Sequence, residues 1–161
     1  MNKMKFLTIS AVLFFLISCH QSIPPQVEGK WIKGSEQDKI ESIERQFRGF
    51  DLAMVETGYR YKELYWAGQD QNWEYASYQA KKIEKAIKNG LERRPKRAKS
   101  AEFFLTQILP DMKKSIELQD SIAFNKNFEV LTRNCNACHA LENVAYFTIK
   151  QPLDRPSPIR K

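Results

Sequence analysis

Histidine, cysteine and glycine are scarce in this chain of 161 residues, which holds two His, three Cys and six Gly. A structural zinc site needs about four ligands, and so few donors leave little room for one. A chain of this length can bury a core without disulfide staples, so the shortage of cysteine costs the fold nothing. Three of the seven prolines, Pro152, Pro156 and Pro158, fall in the last ten positions, so the body before them is almost free of helix breakers. No alternating strand pattern and no internal repeat interrupts that body. The formal net charge of +7 is a modest basic excess, and no stripe of interleaved aromatic and basic residues accompanies it, which argues against nucleic acid as a partner. The one sustained apolar run, Phe6 to Ile17, is too short to span a bilayer comfortably.

That run follows Lys3 and Lys5 and has the length of a signal-peptide core. It ends in Leu16-Ile17-Ser18-Cys19, which resembles a bacterial lipobox; the resemblance implies that residues 1–18 are removed and that Cys19 carries lipid at the mature N-terminus. The plainer alternative is an ordinary signal peptide with an incidental Cys19. Either reading predicts export, and loss of Lys3 and Lys5 lowers the formal charge from +7 to +5. Residues 19–37, with Pro24, Pro25, Gly29 and Gly34, read as a flexible tether that holds the body off a membrane surface. Trp31 and Ile32 are its one apolar interruption.

From Asp38 the pattern is helical. Ile40, Ile43, Phe47, Phe50, Met54, Tyr61 and Leu64 recur at spacings of three and four, with one gap at Thr57-Gly58. Gly68-Gln69-Asp70 breaks this first helix, and Asp70 or Asn72 can cap a second that carries Trp73, Ala76, Ala80, Ile83 and Ile87 and stops at Asn89-Gly90. A basic loop, Arg93 to Lys99, precedes a third helix with Phe104, Leu105, Ile108, Met112 and Ile116, inside which Pro110 predicts a kink or irregularity. Asp120-Ser121 suggests a short turn, and a fourth helix follows with Phe124, Phe128, Leu131, Cys135 and Cys138 on its seam. The expectation is an all-α chain. Residues 38–150 should form an antiparallel up-down-up-down four-helix bundle, followed by a Pro-rich tail over 151–161.

Cys135-Asn136-Ala137-Cys138-His139 reads Cys-x-x-Cys-His, the attachment motif for haem c. Two thiols three residues apart on a helix share a face, so both can add to vinyl groups of one planar ring, and His139, four residues after Cys135, lies on that face to approach the iron. Three other readings compete. Zinc lacks ligands, since the other histidine, His20, sits beside the lipid site. A thioredoxin-like dithiol expects a strand leading into a helix, which is absent. A disulfide between Cys135 and Cys138 leaves His139 without a role.

A haem motif near the C-terminus, on the last helix of a four-helix bundle, resembles the class II c-type cytochromes, the cytochrome c-prime type. The segments Lys62 to Gly68 and Asn72-Trp73-Glu74, and the Pro-rich tail, resemble small exported cytochromes of this general kind. The lipid anchor and the tail depart from the plain soluble pattern. The resemblance implies one covalent haem c and a one-electron carrier, not an enzyme; the lipobox resemblance adds an anchor to the bacterial membrane, with the protein facing the periplasm or the cell surface. Its partners would be redox proteins of the cell envelope, and such bundles often pair as homodimers.

The resemblance also points to the far side of the iron, because low-spin members of the class place a Met on the first helix. Met54 is that candidate sixth ligand; packing on a core seam is its ordinary alternative. Met112 is a second candidate, and His20 is improbable from its place on the tether. Phe47 and Phe50 are candidate pocket walls, as are Tyr146 and Phe147, with simple core packing as the alternative for each. Arg93 to Lys99 reads either as a solvated connection or as a docking patch for an acidic partner or anionic head groups. Two other functions are open to the same residues: a five-coordinate haem protein binding NO or CO, and a haem subunit of a larger respiratory complex.

Overall fold

The computed structural model describes residues 27–155 and 158–159. Residues 1–18, Cys19, His20 and the first part of the tether lie outside the described residues. Within them the chain is all-helical and divides into two compact units, Met1–Ile43 and Glu44–Lys161.

In the first unit, the Gly29 N–H donates to the Ile32 carbonyl at 2.9 Å and closes a turn. Helix α1, Glu36–Phe47, then begins at a reciprocal cap. Ser35 Oγ accepts the Asp38 N–H at 3.1 Å while the Asp38 carboxylate accepts the Ser35 N–H at 2.8 Å, so two otherwise orphaned donors are satisfied.

The second unit contains α2 (Phe50–Gln69), α3 (Trp73–Arg93), a short 3-10 turn (Pro95–Arg97), α4 (Ala98–Phe103), a π-helical turn (Phe104–Ile108), α5 (Leu109–Glu117) and α6 (Ser121–Leu141). Helix α2 packs on α3 and α6, α3 packs on α5, and α5 packs on α6, which closes a helical bundle. Its centre is formed by Leu64, Ala76, Ala80, Ile83, Leu109, Met112, Phe124, Phe128 and Leu131, all fully or almost fully buried. Asn72 caps α3 as expected, its Oδ1 accepting the Tyr75 N–H at 3.3 Å, and Asp120 caps α6, its Oδ1 accepting the Ile122 and Ala123 N–H groups at 2.9 Å.

Two features depart from the sequence expectation, and the irregularity expected at Pro110 is present one turn upstream of it. The first helix is not continuous, because Arg48 adopts a left-handed conformation (φ 58°) and ends α1. Asp51 then accepts the Gly49 N–H at 3.0 Å and pairs with Arg48, restarting the chain as α2. Gly90 does not stop the next helix, which runs on to Arg93. A Cβ at Gly90 would lie 2.7 Å from Ala53 Cβ, so this glycine lets α2 and α3 approach closely. Pro110 acts one turn upstream of itself. It offers no N–H to the Thr106 carbonyl, and the helix widens into the π turn over Phe104–Ile108. No helix among the described residues is long and apolar enough to cross a membrane.

Candidate functional site

Cys135, Cys138 and His139 occupy the last two turns of α6. Both cysteines are free and half-buried, and Cys135 packs against the core. Burial, with Cys138 as a smaller contribution, pushes the Cys135 thiol up to about 12. Burial also raises Cys138; a hydrogen bond from Ser100 and the charge of Arg97 work against that rise, and Glu142 adds to it. A dithiol that exchanges disulfides needs a depressed thiol pKa, usually at a helix N-terminus. Here the pair sits near a helix C-terminus, where the macrodipole disfavours a thiolate. The site therefore runs against thioredoxin-like chemistry.

The chain reverses at Asn143, which is left-handed at φ 61°, and the Val144 N–H donates back to the His139 carbonyl at 2.9 Å. This turn brings the Phe147 carbonyl to His139 Nδ1 at 2.6 Å. A carbonyl can only accept, so the bond places the imidazole proton on Nδ1 and leaves the Nε2 lone pair available to a metal.

The face of α2 opposite the motif follows from the register between the two helices. Tyr61 Oη meets Thr132 Oγ1 at 2.7 Å, the Tyr65 and Phe128 ring centroids lie 5.0 Å apart, and Gly68 abuts Phe124. Each step up α2 is matched by a step down α6, so the helices are antiparallel. One further turn on the same face sets Gly58 level with Cys135, and a second sets Met54 level with His139. The two glycines on this face differ sharply in surroundings. A Cβ on Gly68 would lie 2.0 Å from Phe124 Cε1, whereas a Cβ on Gly58 would meet nothing within 4 Å. The helices are tightly packed at Gly68, whereas Gly58 faces open space. Thr57 Oγ1, one residue earlier in the chain, is buried without a hydrogen-bond partner.

The remaining expected site residues fall as follows. Met54 is half-buried and packs against the core. Phe50 does the same, with the Arg97 guanidinium 5.7 Å above its ring. Phe47 ends α1 with 56% of its surface exposed and does not join the core, because the break at Arg48 separates it from Phe50. Tyr146 and Phe147 are exposed and pack on each other at 4.6 Å. Met112 is fully buried, with its sulfur 3.8 Å from Ser115 Oγ. The neighbouring Asp111 carbonyl accepts from Asn127 Nδ2 at 3.0 Å, which fixes Met112 near the level of Asn127, about 18 Å along α6 from His139 at the helical rise. That separation sets Met112 far from the motif, in the packed core.

The basic loop is largely spent on the fold. Arg93 Nε donates to the Gly49 carbonyl at 3.4 Å, Arg94 donates to the Arg93 carbonyl at 2.8 Å, and Arg97 pairs with Glu142 just beyond the end of α6. Sequence reasoning missed the part played by Asn136. It is a spacer residue of the motif, and its amide bonds both backbone groups of Ile149. Among the described residues no group of three or more His, Cys, Asp or Glu side chains is placed to hold a metal ion by itself. Comparison of the chain with known proteins found no matching family model, no matching curated protein and no matching solved structure.

Proposed function

We propose that this chain is a c-type cytochrome, an antiparallel four-helix bundle that carries one covalent haem c and passes single electrons. It would be held to the bacterial envelope by lipid on Cys19, with redox proteins of that envelope as its partners. The observation that carries the reading is the Cys-x-x-Cys-His motif itself, with His139 Nδ1 engaged by the Phe147 carbonyl; the helix register sets Gly58 level with Cys135, and a Cβ at Gly58 would meet no atom within 4 Å.

These residues fit a haem. A planar ring needs a gap between helices, two thiols on one face, and an imidazole in the correct tautomer. Cys135 and Cys138 would hold the ring edge through thioethers. His139 Nε2 would be the proximal ligand, with the Phe147 carbonyl keeping the imidazole oriented and basic. Met54, level with His139 on the opposite helix, would offer its thioether as a second iron ligand. Phe50 would wall the pocket, and the half-buried setting of Cys135 would keep water from that edge. The bound haem supplies a metal that cycles between Fe(III) and Fe(II). No side chain is asked to do acid–base or nucleophilic work.

Absorption spectra of the oxidised and reduced protein, with and without Met54→Leu, test the reading. Leu conserves the volume, so the fold survives with a cost under about 1.5 kcal/mol. The wild-type ferric protein should be low-spin with the weak far-red band of Met–Fe(III) haem, and M54L should lose that band and become high-spin. A wild-type protein that is already high-spin, binds CO and is unchanged by M54L would remove Met54 from the iron and favour the gas-binding reading.

A further inference from the structure

The chain after α6 does not leave the bundle. It is tied down at four places in sequence. The Phe147 carbonyl meets His139 Nδ1 at 2.6 Å. The Ile149 N–H donates to Asn136 Oδ1 at 2.7 Å, and Asn136 Nδ2 donates to the Ile149 carbonyl at 2.9 Å. Tyr61 Oη donates to the Lys150 carbonyl at 3.2 Å. Arg155 forks onto both Asp70 carboxylate oxygens, one at 2.8 Å, and its guanidinium lies 5.4 Å over the Trp66 ring. The lengths agree with this path. Tyr61 to Asp70 rises about 14 Å along a helix, and Lys150 to Arg155 reaches about 17 Å when extended.

We infer that residues 143–155 form a strap, with Asn136 as a positioning residue for His139. The strap begins at the motif, covers the α2–α6 face and latches at the α2–α3 turn. The primary amide is the suitable side chain at position 136. It carries one donor and one acceptor side by side, and so matches the N–H and C=O of a single backbone residue. A carboxylate there would set an acceptor against the Ile149 carbonyl. Through this pair of bonds Asn136 fixes residue 149, and so fixes the Phe147 carbonyl two residues earlier that orients the imidazole. The side chain of Ile149 packs against the core and anchors the same point. The inference rests on the haem reading above.

The test uses the full-length mature holoprotein with Asn136→Ala and, separately, Arg155→Ala, the latter far from the motif. Two readouts are taken: the reduction potential, and the rate of tryptic cleavage after Lys150. Loss of the two Asn136 bonds should speed cleavage by roughly tenfold or more, since each net bond shifts local opening severalfold. It should also raise the potential, because an imidazole that loses its Nδ1–H partner is a weaker donor to Fe(III). R155A should move both readouts the same way by less. Faster cleavage with an unmoved potential overturns the positioning role while the cytochrome reading stands. Unchanged cleavage in both variants overturns the strap itself. A wild-type protein without haem overturns the functional reading, and this inference with it.

Discussion

Gly58→Leu should change stability in opposite directions with and without the haem. Position 58 lies inside α2, where Gly is a poor helix former, and the space beside it is empty of protein atoms. In a haem-free chain with Cys135 and Cys138 both replaced by Ala, the new side chain meets no clash. Helix propensity should then stabilise the protein by about 0.5–1 kcal/mol. In the holoprotein the same side chain would enter the place proposed for the ring, where overpacking costs about 1–3 kcal/mol. The second term exceeds the first, so the loaded protein should unfold at lower temperature and be recovered in lower yield. Thermal unfolding of both forms, followed by far-UV circular dichroism, reads the two signs. Stabilisation of both forms would mean that nothing sits beside Gly58.

Gly68→Ala should be far more damaging than its chemistry suggests. The added Cβ would lie 2.0 Å from Phe124 Cε1 and 2.1 Å from Cζ. The ring cannot easily retreat, since Phe124 is fully buried between Trp73 at 5.9 Å and Phe128 at 6.0 Å. Helix propensity favours Ala by about 1 kcal/mol. A clash of one carbon against a fixed ring costs about 3 kcal/mol or more, so the clash wins. Denaturant unfolding measures the loss. Adding Phe124→Leu should recover part of it, because the two changes share one contact. A stabilised G68A protein would mean that the α2–α6 register used above is wrong, and with it the alignment of Met54 with His139.

The motif was legible because its chemistry is local: two thiols and an imidazole within five residues need no tertiary information. The helical seams from Phe50 onward were legible for the same reason, whereas Ile40, Ile43 and Phe47 keep the spacing and are nevertheless exposed; the gap in the first seam at Thr57-Gly58 falls where Gly58 faces open space. What was hidden depended on contacts between distant segments. Phe47, Phe50 and Met54 keep helical spacing across the break at Arg48, so periodicity alone could not reveal it; the signals were Gly49 and the acidic Asp51 just after it. Gly90 imitates a stop signal, and only the approach of Ala53 and Phe50 explains it. Gln79 is fully buried on α3, with its Oε1 accepting from Arg60 on α2 at 3.4 Å, a pairing that no single-helix pattern discloses. Met112, like Met54, lies on an apolar helical seam, and only the Asp111–Asn127 bond fixes its level along α6. Asn136 reads as a neutral spacer until Ile149 is placed against it.

Intact mass of the mature protein under denaturing conditions, made in a host that matures c-type cytochromes, addresses the covalent bond directly. Beyond its polypeptide and the lipid on Cys19, the wild-type chain should carry the mass of one haem that survives unfolding, and the Cys135→Ala, Cys138→Ala double variant should lack that haem mass. A colourless wild-type chain without the haem mass and with two titratable thiols at positions 135 and 138 would contradict the account.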